Sequence, residues 1–155
     1  MIRLRPIKPT KNPFDERAYR HAIKAALDDT AQLVLADFER TTAMWSGKPS
    51  FSIEETGEFA RVIGTDDENY ARVDAGTRPH VIVAHGGVLA FPSGGSPKSR
   101  PRVIGSSGGS RGSGVVFTKR VNHPGTEGRA FADTIGEKWE PLLASEMERR
   151  LGEVG

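Results

Sequence analysis

Cysteine is absent from all 155 residues. Disulfides, thiolate catalysis, cysteine-ligated zinc and iron–sulfur clusters are excluded with it, and the absence agrees with assembly in a reducing cytoplasm. Long apolar runs are also missing: no stretch approaches the roughly 20 residues a membrane span requires. The first residues, Met1–Pro6, lack an apolar leader core, so no cleaved signal is expected. Enzyme signatures are equally scarce. The glycine-rich tract has neither a P-loop lysine nor a G-x-G-x-x-G between strand and helix, and no G-x-S-x-G elbow opens a helix. His80, His85 and His123 with Asp74 match no zinc spacing, and no carboxylate pair is set for acid–base work. No enzyme, cofactor or metal site is therefore expected, and His80 and His123 read as hydrogen-bonding residues beside prolines.

The most informative absence is of acid. Residues 75–126 hold seven basic groups and no Asp or Glu, a charge of +7. Residues 1–12 carry +4, residues 13–74 carry −6 and residues 127–155 carry −3, which together make the net +2. This partition sets a basic surface against acidic helices. Such a surface suits nucleic acid or an acidic partner, and balance within the chain is the equal alternative.

The length fits one domain with one core. A first helix is expected over about 14–45, capped at Asn12–Pro13 and stopped by Gly47 and Pro49. Tyr19, Ile23, Leu27, Val34, Phe38 and Trp45 share one face, so Phe38 and Trp45 are expected in the core. Arg17, Arg20 and Lys24 lie on other faces, as candidates for a subunit contact. The alternative is a long helix lying on its own sheet.

Short antiparallel strands follow around Phe51–Ile53 and Phe59–Ile63, with a turn at Glu55–Gly57, and Asn69–Asp74 is a further strand candidate. Val81–Ala84 and Val88–Phe91 flank His85-Gly86-Gly87, a hairpin signal, and Val115–Val121 supplies another strand. Between them residues 93–114 form a basic glycine- and serine-rich insert, too poor in apolar groups to order itself and hence expected to be flexible. Flanked by strands of one sheet, it is not a domain linker. A closing helix is expected over 129–151, weakened by Gly136 and by a kink or break at Pro141.

Two strings remain. One is Tyr70-Ala-Arg-Val-Asp-Ala-Gly76-Thr77-Arg-Pro79-His80, followed by the Leu89-Ala-Phe91 ending. The other is Val121-Asn-His123-Pro124-Gly125-Thr126, followed by the closing helix. Gly76 and Gly125 can adopt positive φ, Pro79 and Pro124 stiffen the backbone beside them, and each histidine can bond a turn carbonyl. The paired turns would then fix two strand ends against each other. In this order the strings resemble the neck or tail-completion family of long-tailed bacteriophages, over about residues 14–151. The chain departs from that pattern at Glu55-Thr-Gly-Glu-Phe59, which lacks an expected arginine, at Ala130-Phe131 in place of Pro-Phe, and in its longer insert.

The resemblance implies an α+β protein, an antiparallel sheet or partial barrel flanked by a long N-terminal helix and a C-terminal helix. It implies a structural virion protein without cofactors, assembled in the host cytoplasm into a ring of six or twelve copies at the head–tail junction. Its partners would be copies of itself and neighbouring neck, connector or tail-terminator proteins, with non-specific DNA contact in the channel and no membrane. Lys98, Arg100, Arg102 and Arg111 would then face phosphate or the acids of a neighbouring ring. The readings from other classes are a small nucleic-acid-binding module built on the basic tract and a metal-dependent hydrolase on the three histidines.

Overall fold

The computed structural model describes residues 15–94, 100–105 and 112–154. The fold is α+β. Helix α1 (Glu16–Thr42) leads into a hairpin of β1 (Ser52–Gly57) and β2 (Ala60–Gly64), then helix α2 (Glu68–Ala75). Strands β3 (His80–Val83), β4 (Leu89–Ser93), β5 (Gly114–Thr118) and β6 (Arg120–His123) follow, and α3 (Phe131–Val154) closes the chain. Among the described residues the strands form three separate two-stranded antiparallel sheets, with no closed barrel.

Helix α1 is about 40 Å long at 1.5 Å per residue. Its cap is Asp15, whose carboxylate accepts the Ala18 N–H at 3.1 Å; the expected cap at Asn12–Pro13 lies outside the described residues. It ends at Thr42 rather than near Trp45. Thr41 and Thr42 turn their hydroxyls back to the carbonyls of Asp37 and Phe38, at 2.7 and 3.1 Å. The expected face is buried at Phe38, and at Thr30 and Ala31, which bridge its middle; the buried positions of the first half of the helix run beside its large residues. They are Ala22 and Ala26, which with Thr30 and Ala31 are small side chains that let α1 and α3 pack closely, with Ile23 and Leu27 half-buried beside them.

Several local expectations are corrected. The Asn69–Asp74 segment is helical: Asp67 caps it by accepting the Tyr70 N–H at 2.8 Å, and Tyr70 and Val73, three apart, face the core. The first hairpin turns at Glu58–Phe59, two residues later than expected, because β1 runs through Gly57 with a bulge at Glu55/Gly57. Val81–Ala84 and Val88–Phe91 do not form a hairpin with each other. β3 pairs with β6 (His80↔His123 to Val83↔Arg120) and β4 pairs with β5 (Leu89↔Thr118 to Ser93↔Gly114). The two segments therefore lie in line along one side of a long ribbon. His85-Gly86-Gly87 is part of a five-residue bulge, 84–88, set opposite Lys119 alone. Helix α3 runs continuously through Pro141.

The core gathers the C-terminal half of α1, the base of the hairpin, α2 and the start of α3. Phe38, Tyr70, Phe131 and Ile135 are buried, and Val34, Trp45, Phe51, Ile63, Val73, Ile104 and Trp139 pack around them. Phe51 stacks on Phe38 and meets Tyr70 edge-on, each with ring centroids 5.1 Å apart, the geometries aromatic quadrupoles favour. Ile104 belongs to the glycine- and serine-rich insert. Its neighbour Gly105 is buried and donates its N–H to Thr41 Oγ1 at 3.1 Å, and the Arg102 N–H reaches Arg129 O at 2.9 Å. Residues 100–105 are thus tied to the helical body, which corrects the expectation of one flexible insert across 93–114.

Candidate assembly surface

The two strings that stand out in the sequence meet in space as one joint. Gly76 (φ 80°) and Gly125 (φ 88°) both occupy the left-handed region that favours glycine. A Cβ on Gly76 would lie 2.5 Å from Thr126 O, and one on Gly125 would lie 2.4 Å from Thr77 O. Thr77 and Thr126 exchange backbone hydrogen bonds of 2.9 and 3.0 Å across this approach. Gly128, which the sequence did not single out, is as tightly held, with Ala75 O only 2.8 Å from its would-be Cβ.

Asp74 completes the joint. Its carboxylate accepts the Phe131 N–H at 2.5 Å, capping α3 from a distant part of the chain. Asp74 is thus engaged as a cap, and among the described residues no three His, Asp or Glu side chains are gathered in a group of metal-ligating geometry.

His80 and His123 face each other across the first rung of the ribbon, their rings stacked with centroids 5.0 Å apart. His80 Nδ1 donates to Arg78 O at 2.9 Å, a turn carbonyl as expected. His123 Nδ1 instead accepts the Gly125 N–H at 3.0 Å, so it bonds a turn amide and not a carbonyl. Pro79 and Pro124 stand beside the two histidines at the turn exits.

Beyond the joint, the ribbon is apolar and uncovered. Val81, Ile82, Val83, Val88, Phe91, Val115, Val116 and Phe117 are all exposed, Phe117 to 67% and Val115 to 61%. Because side chains alternate along each strand, these residues occupy both faces. The ribbon strands pack on each other, while the principal packing elsewhere is α1 on α3 and α1 on the hairpin. Arg78, Lys119 and Arg120 form no ion pair among the described residues.

The other basic candidates behave differently. Arg20 forms a two-pronged contact with Glu58, pairs with Glu16 at 3.1 Å and sits over the Phe59 ring. Lys24 lies 3.6 Å from Glu55. Both tie the hairpin to α1 within the chain. Arg17 is exposed on the first turn. Arg102 has a 71% exposed side chain 3.9 Å from Glu137, so the chain itself supplies its nearest acid. Arg100 is exposed, and Lys98 and Arg111 lie outside the described residues.

A second feature was not legible beforehand. Asp37 is only 4% exposed, yet it accepts from Lys138 Nζ at 2.5 Å and Trp139 Nε1 at 2.8 Å and contacts Arg40. Burial alone would raise its carboxyl. The bonds from Lys138 and Trp139 and the charges of Lys138 and Arg40 outweigh burial and hold it below the ordinary carboxylate value. This cluster locks α3 onto α1.

An open groove of about 750 Å³ lies on the hairpin face turned away from the core. Phe51 and Val62 contribute its apolar part, Glu54, Asp66 and Asp67 its three acids against one base, the exposed Lys48, and small Ser52 and Gly64 leave it open. Among the described residues no helix is long and apolar enough to cross a membrane. No protein-family model, curated protein or solved structure matches the chain.

Proposed function

We propose that this chain is a non-enzymatic structural subunit of a phage head–tail junction, a ring-forming protein of the virion neck that joins the capsid connector to the tail around a DNA channel. The observation that carries the reading is the ribbon: a long, acid-free, doubly apolar arm held at its root by the joint of Gly76, Thr77, Gly125 and Thr126. Such an arm has no catalytic geometry, and it suits contact between subunits, since large uncovered apolar surface marks association. The order of the two strings, which resembles that of neck and tail-completion proteins, supports the same assignment. Closed cyclic symmetry requires one surface to meet a different surface on the next copy, with six or twelve copies the orders such a junction implies. Native mass measurement of the purified chain, alone and with a connector, tests the reading. A closed ring is expected, and a monomer under both conditions overturns it.

A nucleic-acid-binding module is the second reading, favoured by one observation: exposed Lys119 and Arg120 closely follow exposed Phe117 along the ribbon. Basic groups beside stacking rings suit single strands. That reading requires DNA binding by a monomer, with an affinity that falls steeply as salt rises.

A further inference from the structure

The geometry points to a specific ring contact: the acid-free ribbon of one copy seats on the acid-rimmed groove of the next copy. This deepens the ring assignment above and rests on it.

A two-stranded ribbon is marginal in water by itself. This one exposes eight large apolar residues on two faces, and among the described residues its strands pack chiefly on each other and not on the helices. Its uncompensated charges, Arg78, Lys119 and Arg120, are all positive. The groove is its complement. Val62 is half exposed and gives the outer face of the hairpin its apolar strip, while Phe51, packed on Phe38 and Tyr70, also lines the groove. Glu54 and Asp66 border that strip, are exposed and form no ion pair among the described residues. Glu54 is directly opposite Val62 in the hairpin register, so apolar and acidic groups present together.

Ribbon and groove share no residue, so one copy can donate its ribbon while receiving another. That makes the contact heterologous, and a heterologous contact closes a ring when its rotation permits. The occupant is assigned to a second copy because the ribbon leaves the joint as a built element, with its apolar surface and its charge already matched to the groove. The chain's own residues 1–14, which are also basic and acid-free, are the rival occupant.

The test uses the full-length chain. A ribbon variant carries Lys119→Glu and Arg120→Glu, and a groove variant carries Glu54→Lys and Asp66→Lys. All four positions are exposed, so unchanged circular dichroism and melting serve as the folding control. Each variant alone is expected to lose ring formation, with self-association weakened roughly 100-fold or more by the like-charge contact. Joining all four substitutions in one chain is expected to restore the ring with its charges exchanged.

Mixing the single-surface variants sharpens the outcome. In the mixture the groove variant's intact ribbon meets the ribbon variant's intact groove, and the reversed ribbon meets the reversed groove, so rings of alternating copies are expected to re-form; a mixture that stays monomeric while wild type forms rings overturns the inference. A Val115→Cys, Val62→Cys chain, in an otherwise cysteine-free background, is expected to form intermolecular disulfides on oxidation. If wild type forms rings and both variants do so too, the inference fails while the ring reading stands. If wild type never associates, the ring reading fails with it. If deleting residues 1–12 reproduces the groove defect while the ribbon variant assembles normally, the groove belongs to the chain's own terminus and the inference is overturned.

Discussion

The helical body and the ribbon are built on opposite terms. In the body, aromatic rings from α1, α3 and the α1–β1 connection interlock around Tyr70 of α2, and a buried carboxylate, Asp37, gathers three donors from α1 and α3. In the ribbon, residues of equal or greater hydrophobicity stand in water on both faces, and order comes from backbone pairing and from the joint at its root. Burial of apolar area, the main favourable term in folding, is concentrated in the body. The ribbon keeps about half of its large apolar side-chain surface exposed, and the gain from covering it remains available to assembly. A chain can in this way hold a rigid fold and an unsatisfied surface without conflict, provided the two are separated by a stiff connection.

The largest expected contrast comes from one residue type in the two settings. Phe131 has no exposed surface. Phe131→Ala is expected to cost about 3–5 kcal/mol, read as a large fall in melting temperature. Phe117→Ser should change stability by less than about 0.5 kcal/mol while weakening self-association. Equal losses of stability at the two positions would show that the ribbon is buried in the folded chain.

The joint comes next. Gly125→Ala places a Cβ 2.4 Å from a backbone carbonyl at φ 88° and should cost about 2–3 kcal/mol. It should also expose the amides of β3 and β6 to hydrogen exchange while those of α1 stay protected. Gly86→Ala, in the bulge with open space around it, should cost about 1 kcal/mol from backbone strain alone. If both changes exchange alike, the joint is not what anchors the ribbon.

Asp37 sharpens the account of the body. Its folded value is depressed, so its stabilisation is fully present above the ordinary carboxylate value near 4 and is lost as pH falls through the lower folded value. Asp37→Asn should cost about 1–3 kcal/mol at neutral pH and flatten the acid limb of the stability curve. A variant with an unchanged acid limb would exclude Asp37 as its source. Glu146 is likewise held down, to about 2, by hydrogen bonds from Arg149 and Arg150, but it lies on the surface of α3.

The smallest effect belongs to the hairpin clasp. Arg20→Glu with Lys24→Glu removes exposed pairs to Glu58 and Glu55 and should cost under about 1 kcal/mol. Because these residues act within the chain, ring formation should persist. Loss of the ring in this variant, with unchanged melting, would return the subunit contact to α1.

Much of this was legible in the residues themselves. Both long helices announce themselves through period-3.6 spacing, and Gly76 and Gly125 through turns that require positive φ. The charge partition, visible as a bare count, reappears as a basic ribbon and an acid-lined groove. What failed did so where a local signal competes with a distant partner. Asn69–Asp74 is too short for periodicity to separate strand from helix, and the Asp67 cap tipped it. His85-Gly86-Gly87 is a sound hairpin signal, yet pairing with β5 and β6 satisfied more backbone groups and turned it into a bulge. Ile104 sits in a tract whose composition reads as unstructured, and one buried isoleucine with a Gly105–Thr41 bond tied that stretch down.

The division follows the range of the forces involved. Helix periodicity, capping residues and glycine torsions act within a few residues, so the chain order alone announces α1, α3 and the two turns. Strand partners, the Asp74 cap on Phe131, the donors around Asp37 and the closeness of Gly128 to Ala75 join residues far apart in the chain. Their free energy depends on loop closure and mutual burial, which only the assembled fold supplies.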